Sequence, residues 1–232
     1  FADILEAAED FDTALHQLVC DVFTKHQRIL FDGNGYSQEW KEEAVGRGLS
    51  NYPSTAECLP ALIQEKNIDL VTRRGIYTES EFRARYAIHL EAYNKIVAIE
   101  ARTMVDMALH QILPAAMHYS RDLCNSLTVK MELGVPCNAE KVLVKNLSLH
   151  TDALFDAAHI LHHALEVVPK QPEAASRYYH DTILPGMAAV RTHADALEEF
   201  TDKSYWPYSD GKITLKKGEI FGIVFPTHFW AR

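Results

Sequence analysis

The chain has 232 residues, 47% of them hydrophobic and 24% charged, a balance that suits a globular protein and excludes general disorder. Its formal net charge of -9 repels phosphate backbones and anionic lipid heads, so neither nucleic acid nor a membrane surface is an expected partner. No run approaches the roughly 20 apolar residues of a membrane-spanning helix, no export signal opens the chain, and Cys20, Cys58, Cys124 and Cys137 form no C-x-x-C pair, which together predict a cytoplasmic protein with free thiols.

The first residues, Phe1-Ala2-Asp3-Ile4-Leu5-Glu6, read as the interior or tail of a helix, and the expectation is a fragment. From Asp10 to Phe31, apolar residues at Phe11, Leu15, Leu18, Val19, Val22, Ile29 and Leu30 form a helical stripe ended by Asp32-Gly33-Asn34-Gly35. Ser37 is placed to cap a short helix anchored by Trp40 that stops before Gly46 or Gly48. Ser54-Thr55-Ala56-Glu57 has capping-box spacing and predicts another helix, kinked or delayed by Pro60 and closed by Gly75.

Thr78-Glu79-Ser80-Glu81 repeats the capping box and opens the longest periodic segment, which runs to about Leu123. Its stripe passes through Phe82, Tyr86, Leu90, Tyr93, Val97, Ala101, Met104, Ala108, Ile112, Ala115 and Tyr119, which is 37 residues in ten steps, or 3.7 per step. Ile88, Ile96, Ile99 and Met107 lie off that line, so this central helix is expected to bury more than one side. Pro114 supplies a physical reason for a kink or break. Residues 125–138, with Gly134, Pro136 and Asn138, read as a connection.

Leu143, Leu147, His150, Leu154, Ala157, Leu161, Leu165 and Val168 then keep alternating steps of three and four, a second strong amphipathic helix ended by Pro169 and Pro172. Pro172 also suits the first position of the next helix, whose face carries Tyr179, Ile183, Met187, Val190, Ala194 and Leu197, interrupted by Pro185-Gly186. The tail from Ile213 to Phe225 looks like a hairpin or an extended arm. Ile112-Leu113-Pro114-Ala115 and Ile183-Leu184-Pro185-Gly186 echo each other, too briefly to imply duplication. The fold class is therefore all-α: a bundle of long amphipathic helices with a short extended or hairpin tail. Residues 1–207 are read as the helical domain and 208–232 as an atypical tail.

The candidate metal ligands are His159, His162, His163 and Glu166, because spacings of three and four bring imidazoles and a carboxylate within one helical turn. Measured from Leu161 at 100° per residue, His159, His163 and Glu166 fall about 140 to 200° away, on the far face. Polar residues there are ordinarily just solvated, and no metal is assigned. His150, inside the apolar stripe, reads as a hydrogen-bonded core or interface histidine. Arg73, Arg74, Arg83 and Arg85 adjoin many acids and read as a solvated or subunit-contacting face. No nucleophile motif and no phosphate loop occurs, so no catalytic and no cofactor-binding residue is assigned.

The run from Phe31-Asp32-Gly33-Asn34-Gly35-Tyr36-Ser37-Gln38-Glu39-Trp40, through Arg47-Gly48-Leu49 and Cys58-Leu59-Pro60-Ala61-Leu62-Ile63, resembles the C-terminal region of the type III glutamine synthetases. So do Arg85-Tyr86-Ala87-Ile88-His89-Leu90-Glu91-Ala92-Tyr93-Asn94-Lys95, Ile99-Glu100-Ala101 and Gln111-Ile112-Leu113-Pro114-Ala115. The likeness is dense over residues 30–117, thins over 118–175, and returns weakly at Ile183 to Met187 and at Tyr205-Trp206-Pro207. It implies a parent enzyme that joins ammonia to glutamate, using ATP and Mg or Mn ions in a β-rich core upstream of a region like this one. It also implies that this region meets that core and the other subunits of a homo-oligomer, without catalytic residues of its own. After Pro207 the chain departs from the family pattern. The alternative reading is a free-standing helical bundle that binds a partner or a metal.

Overall fold

The computed structural model describes residues 1–208, and all the regular structure among them is helical. The hairpin expected near Ile213 to Phe225 lies outside the described residues. Contacts divide the chain into two units, Phe1–Pro53 and Ser54–Arg232.

The first unit holds α1 (Ala2–Glu6), α2 (Phe11–Lys25), a 3-10 turn (Gln27–Ile29) and α3 (Gln38–Gly46). Asp10 caps α2 by accepting from the Asp12 amide, and Ser37 caps α3 by accepting from Trp40. The α-helix expected to reach Phe31 stops at Lys25. Beyond it the chain tightens and then extends, and the Leu30 carbonyl accepts from the Arg47 guanidinium at 2.6 Å, a partner remote in sequence that no helix could supply. Phe31 stacks on Trp40 at 3.9 Å and Arg47 lies over the same indole at 5.4 Å, so a cation, two rings and a carbonyl make the small nucleus of this unit. Along α2 the predicted stripe forms with Leu18 and Val22 half-buried, yet its Phe11, Leu15 and Val19 are exposed, as is Phe23 beside them.

The second unit carries the main core. In it, α4 (Thr55–Leu62) and α5 (Glu65–Arg73) replace the single kinked helix expected across Pro60. Pro60 lies inside α4, and the break falls at Ile63 and Gln64, where the Asn67 amide donates to the Ala61 carbonyl at 2.6 Å and fixes the turn between the helices. Gly75 ends α5 with φ of 63°, and the amides of Gly75 and Ile76 reach back to the Thr72 and Val71 carbonyls, closing the last turn in a Schellman motif.

Thr78 and Glu81 complete the predicted capping box of α6 (Glu79–Met107). Tyr86, Leu90, Tyr93, Val97, Ala101 and Met104 are all buried, as the stripe requires. Instead of a kink at Pro114, a π turn spans Ala108–Ile112 and the helix continues as α7 (Leu113–Glu132). In it the Leu113 amide bonds to the Ala108 carbonyl, one residue further back than in an α-helix. Pro114, which has no amide to offer, then falls at the start of α7, where its missing hydrogen bond is tolerated. The connection expected from 125 is helical to Glu132, because Gly134, with φ of 67°, provides the stop nine residues later in a second Schellman motif from Gly134 and Val135 to Met131 and Lys130.

Next come α8 (Asn138–Glu166), α9 (Pro172–Tyr178), a second π turn (Tyr179–Ile183) and α10 (Leu184–Phe200). Pro185 stands after this π turn as Pro114 stands after the first, so the shared Ile-Leu-Pro marks the exit of a wide turn. Leu147, Leu154, Ala158 and Leu161 from α8, packed chiefly against α10 and α7, join Ile183, Met187, Val190 and Leu197 in one core cluster. Of the four residues off the α6 stripe, Ile96 and Met107 are half-buried, whereas Ile88 and Ile99 are each 63% exposed and no described element covers them.

Candidate functional site

The candidate metal ligands on α8 diverge. The His159 ring packs against Phe155 at 4.3 Å, while His163 pairs with Glu166 at 3.4 Å, both well exposed. His162 faces a groove of about 650 Å³ with Arg102, Asp106, His110 and Glu166, in which Asp106 and His110 form their own pair at 3.0 Å. Among the described residues no three His, Cys, Asp or Glu side chains converge to hold a metal ion, so the residues present do not fit the divalent ions that the family resemblance implies for a parent enzyme.

His150 is half-buried in the seam between α8 and α10. Its Nδ1 lies 3.3 Å from Nδ1 of His193, and its ring stacks on Phe200. One imidazole donates and the other accepts, which is the structural role its place in the stripe suggests. Two of the four arginines are engaged in structure, Arg83 with Glu79 at 2.8 Å and Arg85 lying 4.6 Å over Tyr77, while Arg73 and Arg74 are exposed. All four cysteines are free.

Two features were not foreseen. The first is a groove of about 510 Å³ between α6 and the link from Val168 to Pro172 that leads into α9. Its α6 wall carries Tyr86, Glu91, Asn94 and Lys95, all within the motif that bears the strongest family resemblance. Tyr86 donates to Glu173 at 3.5 Å and Asn94 Nδ2 donates to the Pro172 carbonyl at 3.0 Å, so the two walls are tied together. Burial, and then the Glu173 carboxylate, push the Tyr86 hydroxyl above its ordinary pKa. The second is a strap after α10: Tyr205 donates to Asp122 on α7 at 2.6 Å, and Tyr208 to Gln111 in the first π turn at 3.1 Å. The Tyr205 hydroxyl, followed by Arg121, holds the Asp122 carboxyl below its usual range.

The Glu100 carboxyl on α6 is half-buried. Desolvation raises its pKa, so the folded chain keeps this proton to higher pH than the unfolded chain. Its effect on stability is therefore absent at acid pH, and becomes unfavourable as pH rises through the unfolded value toward the folded one. Glu100→Gln should raise the melting temperature by about 1–3 °C at pH 7 and by nothing below about pH 4. Thermal melts by circular dichroism at the two pH values check this. An equal gain at both would mean that ionisation is not the cause.

Among the described residues no helix is long and apolar enough to cross a membrane. The family model described as "Glutamine synthetase C-terminal domain" matches residues 14–131, just over half of the chain. A glutamine synthetase of Butyrivibrio fibrisolvens is 32% identical over 206 residues, which cover 87% of this chain and 29% of that protein. The type-3 glutamine synthetase of Dictyostelium discoideum is 29% identical over 204 residues, covering 84% and 28%. A glutamine synthetase of Bacteroides fragilis (strain YCH46) is 28% identical over 212 residues, covering 88% and 29%. The chain thus spans less than a third of the length of these relatives. The dense resemblance over residues 30–117 falls inside the matched region, and the chain belongs to the glutamine synthetase C-terminal domain family.

Proposed function

We propose that this chain is the helical C-terminal region of a cytoplasmic glutamine synthetase, in which residues 1–207 form a scaffold that docks on the upstream catalytic core and on other subunits of a homo-oligomer. The reaction served is the ATP-dependent joining of ammonia to glutamate, with Mg or Mn bound in that core. No described residue supplies a catalytic step.

The observation that carries this reading is apolar surface on the far sides of well-packed helices. At 100° per residue, Val142, Leu149 and Ile160 fall within about 20° of one line along α8, and Ile88 and Ile99 share a line on α6, roughly opposite its buried face. All five are 59–69% exposed. Large apolar side chains aligned this way favour burial against another surface.

The test is to remove the aligned C-terminal region from the Butyrivibrio fibrisolvens enzyme and measure assembly by analytical ultracentrifugation together with glutamine formation. Loss of the oligomer and a fall in activity of at least about tenfold are expected. A fully assembled, fully active remainder would overturn the scaffold role. The 232-residue chain on its own should form no glutamine.

A further inference from the structure

The groove between α6 and the link into α9 has a charge balance that its own residues leave open. Its acids are engaged: Glu91 with Lys95 at 2.7 Å, and Glu173 with Tyr86 and Gln171. Its other two cations, Arg102 and Lys170, have no carboxylate within ion-pair distance among the described residues. Arg102 also borders the neighbouring groove that holds Asp106 and Glu166, and neither reaches it. On the same wall Asn94 Oδ1 is buried and accepts no hydrogen bond, although its amide nitrogen is held by Pro172. An unpaired buried acceptor is unfavourable unless an occupant brings it a donor. The floor is apolar, made by Leu90 and Ala98 from α6, with Val168 and Pro169 facing them. A concavity of about 510 Å³ with an apolar floor and a few polar groups suits a small organic molecule.

We infer that this groove binds a small organic anion, whose carboxylate or phosphate is held between Arg102 and Lys170, whose apolar body lies over Leu90 and Ala98, and whose N–H or O–H donor meets Asn94. Arginine matches either oxyanion with two parallel hydrogen bonds, and lysine adds a mobile positive charge. The inference stands on the groove alone and does not depend on the role proposed above.

The test uses the whole 232-residue chain and nuclear magnetic resonance titrations that follow the side-chain amide of Asn94. Indole-3-acetate combines the three features, and indole-3-acetamide removes only the charge. Saturable shifts are expected with the acetate, at least about tenfold tighter than with the acetamide. A double variant, Arg102→Met with Lys170→Met, should weaken acetate binding by about tenfold or more while keeping the melting temperature of the parent. Phenyl phosphate and phenylacetate separate the two head groups, and the tighter of them identifies the oxyanion. Inorganic phosphate binding as tightly as phenyl phosphate would remove the apolar body from the proposal. Equal binding of acetate and acetamide, an unaffected double variant, or no saturation by about 10 mM with any probe would overturn it.

Discussion

Leu154→Ala is expected to destabilise the second unit by about 3–5 kcal/mol and to lower its melting temperature by about 6–15 °C. Leu154 has no exposed surface, and it belongs to the main core cluster on α8, the helix that packs chiefly against α10 and α7. Truncation there removes apolar burial and leaves a cavity that the close-packed core around it cannot fully relax to fill. Ile160→Ala is the control, since Ile160 is on the same helix but 69% exposed, and its change should stay within about 0.5 kcal/mol. Urea melts of both variants decide the matter. Similar midpoints for the two would mean that α8 does not present its Leu147 to Leu161 line to the core.

Deletion of His110 should cost about 3 kcal/mol, and adding Pro114→Ala should restore most of that loss. His110 is an exposed residue of the first π turn, so its removal takes away little packing. A π turn is in effect an α-helix with one residue added, and the deletion returns the path from α6 to α7 to ordinary α geometry with both buried faces still aligned. Pro114 then lies inside a continuous helix, where its ring presses on the carbonyl four residues earlier and its absent amide breaks a hydrogen bond. Alanine at that position removes both penalties. The comparison needs three proteins, the deletion, the Pro114→Ala change and the combination, each unfolded in urea. A deletion as stable as the parent, or a combination no better than the deletion, would show that the wide turn is not there to accommodate proline.

The helices that form and the faces they bury were largely legible, because both rest on local chemistry. Thr78 with Glu81, and Ser54 with Glu57, mark helix starts by satisfying free amides within three residues. The line from Tyr179 through Ile183 and Met187 to Leu197 is buried throughout. The π turns left a trace that periodicity averaged away. Met104, Ala108, Ile112 and Ala116 are buried at steps of four, as are Ala175, Tyr179, Ile183 and Met187, and three successive steps of four drift about 120° off an α-helical face unless a wider turn absorbs them. Steps of four ending at Ile-Leu-Pro are thus the signal for which the mean spacing of 3.7 was only a blurred reading. Misplaced ends had other causes. The α2 helix ends at Lys25, and beyond the 3-10 turn the Leu30 carbonyl is taken by Arg47, a contact that no window around Leu30 contains.

The grooves were illegible for the same reason. Lys95 and Arg102 are one helix away from Val168 and Lys170 in space but about seventy residues away in sequence, and only packing brings them to one cleft. The histidine group failed in the opposite way. Helical spacing brought His159, His162, His163 and Glu166 close on paper, whereas side-chain directions send His159 to Phe155 and His162 across toward α6.

Gly75 and Gly134 end α5 and α7 at φ values of 63° and 67°, and beyond the glycine and its two chain neighbours no atom lies within 4 Å of the place a β-carbon would take at either. What these two corners exclude is therefore a question of handedness and not of room. Mirror-image alanine, introduced by chemical synthesis, would sit there without strain and would narrow the freedom of the unfolded chain, whereas the ordinary enantiomer must twist against its own carbonyl.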